Sequence, residues 1–374
     1  MREISTLDIA ALVNELNLLA GWHIDKFYEL RDGQFRIRLS KSGEKINLNC
    51  ILSHTLNRSI YIETPEEPTN FSLAVRSKTD GLALNGVSQL NYDRIIDISA
   101  GTADRETHII LEMFGKGNLV IANSGMKILL AYRTHDYRDR SVRAGAVYEP
   151  PKSNQTKMGD LVKAESAEKA IRGILAPSTG SQNAVSSIAK ALNFGGVYVE
   201  EAFNEAGVSL RSSVGELDDI MIAGIAKRIS EMLGYTMKPS PTVFLESGKA
   251  LDYAICDLKK YGGLEKMSFG SVSEALDFFY NENRVDAAPK KNEAIEQLKA
   301  SIKKQEDLIV QVAEEISAAK ASGESIFNNL TAINAIITAA RQNKRITAEE
   351  MQTLFPNVKI TNIDLKEKSI TIDI

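Results

Sequence analysis

The side chains able to do chemistry in this chain are mostly charged groups, and nucleophiles or metal ligands are sparse. The four histidines, His23, His54, His108 and His135, share no metal-ligand spacing with one another or with Cys50 and Cys256. No GxSxG, HExxH or Walker A segment occurs, and Gly115-Lys116-Gly117 reads as a hairpin bend. The densest basic stretch runs from Lys127 to Arg143. In it Arg133, Arg138, Arg140 and Arg143 are set against Asp136 and Asp139, with Tyr132, His135 and Tyr137 interleaved. Guanidinium planes and aromatic rings both stack on unpaired bases, so this is the composition of an RNA-contacting loop. A solvated loop partly neutralised by its own aspartates is the equal alternative.

Three further positions stand out. Asp93-Arg94 opens a strand-like run; on composition alone it is a surface pair. Glu112 lies inside Ile109-Ile-Leu-Glu-Met-Phe, and a carboxylate in an apolar strand must either face water or be held by an arginine, for which Arg94 is a candidate. Gly195-Gly196 precedes a helical pattern, where paired glycines can present backbone N–H groups to a phosphate.

The elements that must position these residues follow from periodicity. Ser5 or Thr6 can cap a helix carrying Ile9, Leu12, Val13, Leu16 and Leu19, stopped by Gly21. After the Asp32-Gly33 turn, Phe35, Ile37 and Leu39 alternate with polar residues, as do Ile46, Leu48 and Cys50, and a short strand is expected over 58–63. A helix is expected over 70–80, then strands over 94–99, 107–114, 119–122 and 127–132. The fold class is therefore α+β on antiparallel sheets, closing at Pro150-Pro151. Residues 158–236 read as short helices, two of them joined across Gly195-Gly196. Mixed structure follows, with a strand at Val243-Phe244-Leu245 and a helix over 273–280. Ile295, Ile302, Ile309 and Ile316 then recur every seven residues, each followed after three by Leu298, Gln305, Val312 and Ala319. That is the a/d seam of a coiled coil with no second heptad run to pair with, which raises the expectation of a chain cut short. The expected domains are 1–151, 152–285, 286–322 and 323–374.

With 374 residues, 45 Lys+Arg and 49 Asp+Glu, the net charge of −4 excludes a bulk polyanion binder while leaving room for a local basic site. Two distant cysteines suit a reducing compartment. The first residues lack an apolar signal core and no stretch is long and apolar enough to span a bilayer, so a cytoplasmic location with no membrane is expected.

Taken in order, several segments form a specific pattern: Ser5-Thr-Leu-Asp-Ile-Ala-Ala-Leu-Val-Asn-Glu-Leu, Gly21-Trp-His-Ile-Asp-Lys-Phe-Tyr, Asp93-Arg94-Ile95-Ile96, Leu111-Glu-Met-Phe-Gly-Lys-Gly-Asn-Leu-Val-Ile and Gly145-Ala-Val-Tyr-Glu-Pro-Pro. Gly195-Gly-Val-Tyr-Val-Glu-Glu and Gly323-Glu-Ser-Ile-Phe continue it. With them the chain resembles the N-terminal part of the NFACT family of ribosome quality-control factors (RqcH- and NEMF-like, formerly fibronectin-binding-like). The resemblance implies an N-terminal domain similar to the formamidopyrimidine-DNA glycosylase N-terminal fold, then a helix-hairpin-helix domain, a first coiled-coil helix and part of a small middle domain.

It also implies an RNA-binding, non-catalytic adaptor without metal or cofactor. Such a factor binds the large ribosomal subunit, with its rRNA and stalled peptidyl-tRNA, and recruits tRNA for untemplated C-terminal tailing of nascent chains. A ubiquitin ligase or protease and a coiled-coil partner are further partner candidates. By motif match, Asp93, Arg94, Glu112, Met113 and Phe114 would handle tRNA, joined by the loop arginines Arg133, Arg138, Arg140 and Arg143, with Gly195 and Gly196 contacting phosphate. A glycosylase-like enzyme is the rival reading, but Arg2 stands where those enzymes need a proline nucleophile and no zinc-finger cysteines follow. A protein-binding scaffold or adhesin is the other rival.

Overall fold

Ser5 begins the first helix, α1 (Thr6–Leu16), with a capping box: its Oγ accepts from the Asp8 N–H at 3.1 Å, and Asp8 Oδ2 accepts from the Ser5 N–H at 3.0 Å. The computed structural model describes residues 2–65, 67–102, 104–152, 161, 164–178, 180–283, 288–364 and 366–373, with the backbone alone over 288–300. Two units divide the chain, residues 1–284 and 285–374.

In the first unit, β1 (His23–Arg31), β2 (Gln34–Lys41), β3 (Glu44–Ile51) and β4 (Thr55–Ser59) form an antiparallel meander in chain order. The β1–β2 turn is made by Asp32 and Gly33, the latter with φ +68°. Helix α2 (Asn70–Thr79) follows. A second antiparallel meander contains β5 (Leu84–Gln89), β6 (Ile95–Thr102), β7 (Arg105–Glu112), β8 (Asn118–Asn123) and β9 (Ile128–Ala131). Leu7, Leu12 and Leu16 of α1 share one core with Phe27, Ile37 and Leu48 of the first sheet and Ile96, Ile98, Ile109 and Leu111 of the second. The other face of the second sheet holds a smaller core of Ile95, Ile110, Val120 and Ile128. It is completed by Val142 and Tyr148, in the segment that contains the short hairpin β10 (His135–Asp136) and β11 (Ser141–Val142). Burial on both faces is why β7 reads as an unbroken apolar run, without alternation.

The chain continues through α3 (Ala164–Leu175), α4 (Ala184–Leu192), α5 (Gly196–Glu205) and α6 (Asp219–Gly234). A three-stranded sheet of β12 (Thr242–Glu246), β13 (Lys249–Ala254) and β14 (Glu265–Ser268), ordered β13-β12-β14, and helix α7 (Val272–Glu282) complete the unit. Ile188, Tyr198, Phe203, Phe244, Tyr253 and Phe279 join the same core as α1.

The second unit holds α8 (Ala288–Asn328), α9 (Leu330–Gln342), α10 (Ala348–Leu354) and a hairpin of β15 (Lys359–Asp364) with β16 (Ser369–Asp373). Its core is Ile336, Ile346, Met351, Val358 and Ile360. On α8 the heptad residues Ile302, Ile309, Val312 and Ile316 are all exposed. The side chains of Ile295 and Leu298, the expected boundary at 285/286 and the first residues of the expected 158–236 helical stretch lie outside the described residues.

The α+β class with antiparallel sheets is the observed one. Within it, the strand expected over 58–63 is displaced to Thr55–Ser59. The run leaves the sheet because α7 takes over its donors: the Arg58 N–H donates to Ser273 Oγ at 3.1 Å and the Ile60 N–H to Asp277 Oδ2 at 3.0 Å. Strands β1 and β5 escaped the periodicity because each carries a register shift, at Ile24/Lys26 and Leu84/Gly86, that breaks the two-residue repeat.

Candidate functional site

A cleft of about 440 Å³ opens where the residues leading into α1, the start of β6 and the N-terminus of α5 meet. Arg2, Glu3, Arg94, Gly195, Glu200 and Lys260 are among the residues lining it. Two pairs that stood apart in the sequence, Asp93-Arg94 and Gly195-Gly196, are thereby brought together. Asn193 Nδ2 donates to Asp93 Oδ1 at 3.3 Å and bridges them across 100 residues.

The Asp93-Arg94 pair is presented by a tight turn over Leu90–Tyr92 in which Asn91 and Tyr92 take φ of +53° and +56°. Left-handed backbone is uncommon for a bulky residue such as Tyr92, and it leaves that ring exposed beside the pair. Gln89 Nε2 donates to the carbonyls of Asp93 and Thr6, each at 3.0 Å, and so ties the turn to α1. Asp93 Oδ1 accepts from the Arg94 N–H at 2.7 Å. The Arg94 guanidinium reaches Glu3 Oε2 at 2.5 Å, while its buried Nε has no hydrogen-bond partner among the described residues.

The α5 side of the cleft depends on glycine. Gly195 has φ +83°, and a Cβ there would lie 3.1 Å from the Ser5 Cβ, so a larger residue would be strained and would push against α1. Gly195 supplies no side-chain cap, which leaves first-turn N–H groups at the positive end of the helix beside the cleft. Across from it, Glu201, itself buried, accepts from the N–H groups of Lys259 (2.7 Å) and Lys260 (2.9 Å). That fixes the turn from which Lys260 Nζ reaches Glu200 Oε2 at 2.6 Å.

Beneath the cleft lies a polar hub. Arg2 donates through Nη2 to Asp8 Oδ2 at 2.8 Å, through Nη1 to Asp252 Oδ1 at 3.0 Å, and to the Tyr253 carbonyl. Its guanidinium carbon sits 4.3 Å from the Tyr253 ring centre and 5.5 Å from that of Tyr198. Tyr198 donates its hydroxyl to Asp8 Oδ1 and accepts from the Ile255 N–H at 3.0 Å. Burial opposes the charge on Arg2, but Asp8, Tyr253, Tyr198 and Asp252 more than offset it and raise its pKa, so the guanidinium stays charged. Arg2, Asp8, Tyr198 and Lys260 were not singled out from the sequence as site residues. Asp8 had a local signal as the third residue of the capping box, but nothing local ties it to positions 198 or 252.

The remaining predicted residues do not line this cleft. Glu112 is held by Arg140 Nη1 at 2.5 Å and by the Tyr148 hydroxyl at 3.1 Å, and the Arg94 expected there is absent. The reason is register: Glu112 pairs with Ile95 and shares its face, the one that packs on the smaller core. Arg140 and Glu112 are both buried, which differs from the expectation that both touch RNA; burial lowers the Arg140 pKa, but its bond to Glu112 outweighs that and raises it. Met113 is buried, and Phe114 packs against the smaller core. Arg133 donates to the carbonyls of Lys116 (3.0 Å) and Gly117 (2.9 Å) and reaches Asp32 at 2.8 Å. Only Arg138 and Arg143 of the loop arginines stand exposed, Arg143 lying 3.7 Å from Asp136. Burial pushes the thiols of Cys50 and Cys256 up to about 12, which leaves both inert at neutral pH.

Two antiparallel meanders packed around one helix, followed by a helical hairpin whose glycine-capped second helix faces an Asp-Arg pair, define a mixed α+β class. The model of the NFACT N-terminal and middle domains matches residues 5–370, and the chain belongs to the NFACT family. It is 23% identical over 353 residues to the archaeal Rqc2 homolog aRqcH of Methanocaldococcus jannaschii, covering 91% of this chain and 52% of that one. To the ribosome quality control complex subunit NEMF of Mus musculus it is 24% identical over 384 residues, covering 90% of this chain and 34% of the relative. The chain thus spans between a third and about half the length of these relatives. In fold it is similar to the crystal structure of the fibrinogen binding protein from Staphylococcus aureus, at TM-score 0.58 and 17% identity, over 74% of this chain and 98% of the other. Among the described residues no helix is long and apolar enough to cross a membrane.

Proposed function

We propose that this chain is an RNA-binding ribosome quality-control factor. It binds the large ribosomal subunit carrying a stalled peptidyl-tRNA and recruits tRNA for untemplated tailing of the nascent chain. The role is that of a non-catalytic cytoplasmic adaptor, with peptide-bond formation left to the ribosome. The observation that carries this reading is the convergence of Arg94, Gly195-Gly196 and Lys260 on one cleft, with Asp93 behind it on Asn193, in a member of this family. Arginine, lysine and free helix N–H groups are the donors that phosphate oxygens accept from. The exposed Arg138, Arg143 and Tyr137 of the β10–β11 hairpin segment are a separate set of groups suited to unpaired bases. The glycosylase alternative is disfavoured because Arg2, at the place of the required amine nucleophile, is committed to Asp8 and Asp252.

The test is filter binding of bulk tRNA and of purified large subunits to the full chain at low salt, where phosphate contacts are strongest. Arg94→Ala is expected to weaken tRNA binding severalfold at unchanged melting temperature. Wild-type affinity in that variant, or no binding by either protein, rejects the reading.

A further inference from the structure

The cleft is rich in cations, yet the two nearest its rim are already occupied. Arg94 is held by Glu3 at 2.5 Å and Lys260 by Glu200 at 2.6 Å. The side chains of Glu3 and Glu200 are about half and one-third exposed, and among the described residues neither carboxylate accepts any other hydrogen bond. A third carboxylate in the cleft behaves differently. Asp252 accepts from Arg2 (3.0 Å), from the Tyr253 N–H (2.8 Å) and from the Tyr261 hydroxyl (2.7 Å), so it is part of the framework. Glu200 Oε1 also lies 3.6 Å from where a Cβ on Gly196 would be, so this carboxylate folds back over the uncapped end of its own helix.

We propose that Glu3 and Glu200 stand in for two phosphates of the ligand. Each occupies an anion position, one at Arg94 and one at Lys260, and a ligand with successive phosphates along a backbone displaces both. The inference rests on the RNA-binding reading and deepens it by naming the groups that the cleft receives. A carboxylate on a flexible stem, tethered by one partly exposed ion pair, is easily exchanged, because such pairs contribute little. A phosphodiester offers the same cations a comparable charge and accepts from Arg94 through two oxygens where the carboxylate now uses one. Arg94 Nε, buried and without a partner among the described residues, is a donor that the Glu3 arrangement leaves unused. The two glutamates therefore screen the cleft from small anions, which cannot displace both at once.

The experiment measures binding of tRNA and of linear polyphosphate to the full chain as wild type, Glu3→Gln, Glu200→Gln, the double variant and Arg94→Ala. Removing the competing charge should tighten binding of both probes about twofold to fivefold per substitution. The double variant should show close to the product, since the two pairs share no partner. Melting temperatures should be unchanged. If either glutamine variant binds both probes with wild-type or weaker affinity while folded, the stand-in role is overturned. The two readings separate cleanly: tighter polyphosphate binding by the glutamine variants with no tRNA binding by any protein keeps the stand-in role and rejects the RNA-binding function. Tight tRNA binding that none of the five proteins alters rejects the site itself.

Discussion

Arg2 and Asp8, six residues apart, form an ion pair at 2.8 Å in which the Asp8 side chain is wholly buried. The second Asp8 oxygen accepts from Tyr198, so one carboxylate joins the start of the chain, α1 and α5. Removing one member of a buried pair leaves the other charge without compensation, which costs about 3–5 kcal/mol. Asp8→Asn should therefore reduce the unfolding free energy of the first unit, measured in urea, by an amount toward the lower end of that range, since Asp252 still pairs with Arg2. It should also weaken tRNA binding where the protein is still folded, since Arg2 and the Glu3 beside it line the cleft. A loss below about 1 kcal/mol would show that Asp252 alone suffices for Arg2.

The loop arginines should separate into two groups. Arg140→Ala strands Glu112 in an apolar environment and should destabilise the protein by about 3–5 kcal/mol, while the folded fraction keeps its tRNA affinity. Arg138→Ala with Arg143→Ala should leave the melting temperature within a degree or so and reduce both tRNA affinity and its salt dependence. Circular dichroism melts beside filter binding at two salt concentrations distinguish these patterns.

Asp97 lies on β6 with His108 Nδ1 2.9 Å away and Glu106 beyond it. Burial pushes its carboxyl above the usual range, against the opposing bond to His108. A raised carboxyl holds its proton more tightly in the folded chain, so it favours folding below the ordinary aspartate range, and that contribution is lost as pH rises through the raised value. Asp97→Asn, which keeps an acceptor for His108, should accordingly raise the melting temperature at pH 7. The gain should shrink as pH falls toward 4. A lower melting temperature at pH 7 would contradict the assignment.

What could be read from the sequence was what short-range physics determines. A cap at Ser5 or Thr6 and the alternation of Phe35, Ile37 and Leu39 were legible because each is set by neighbours within a few residues. Where a bulge breaks the alternation, as in β1 and β5, the signal vanished. Within the site, Asp93-Arg94 and Gly195-Gly196 each had a local signature, but their meeting did not. It depends on Asn193, whose left-handed backbone at the end of α4 places its amide on Asp93. The Arg140–Glu112 pair was illegible in the same way: a basic loop looks solvated until the face it covers is known.

The way the first few residues are fastened has a consequence for synthesis. Arg2 needs Asp252, its carbonyl accepts from the Tyr280 hydroxyl at 2.9 Å, the Ile4 N–H donates to the Ser53 carbonyl and the Thr6 N–H to that of Asn193. This segment is therefore synthesised about 250 residues before the latest partners that hold it. At about 5–20 residues per second that is a delay of roughly 12–50 s. Until then Arg2 and Asp8 have only each other, Ser5 and water, and the two meanders must form without the clasp that later joins them to the helices. A nascent-chain release assay should find protease resistance of residues 2–8 appearing only once α7 has cleared the exit tunnel.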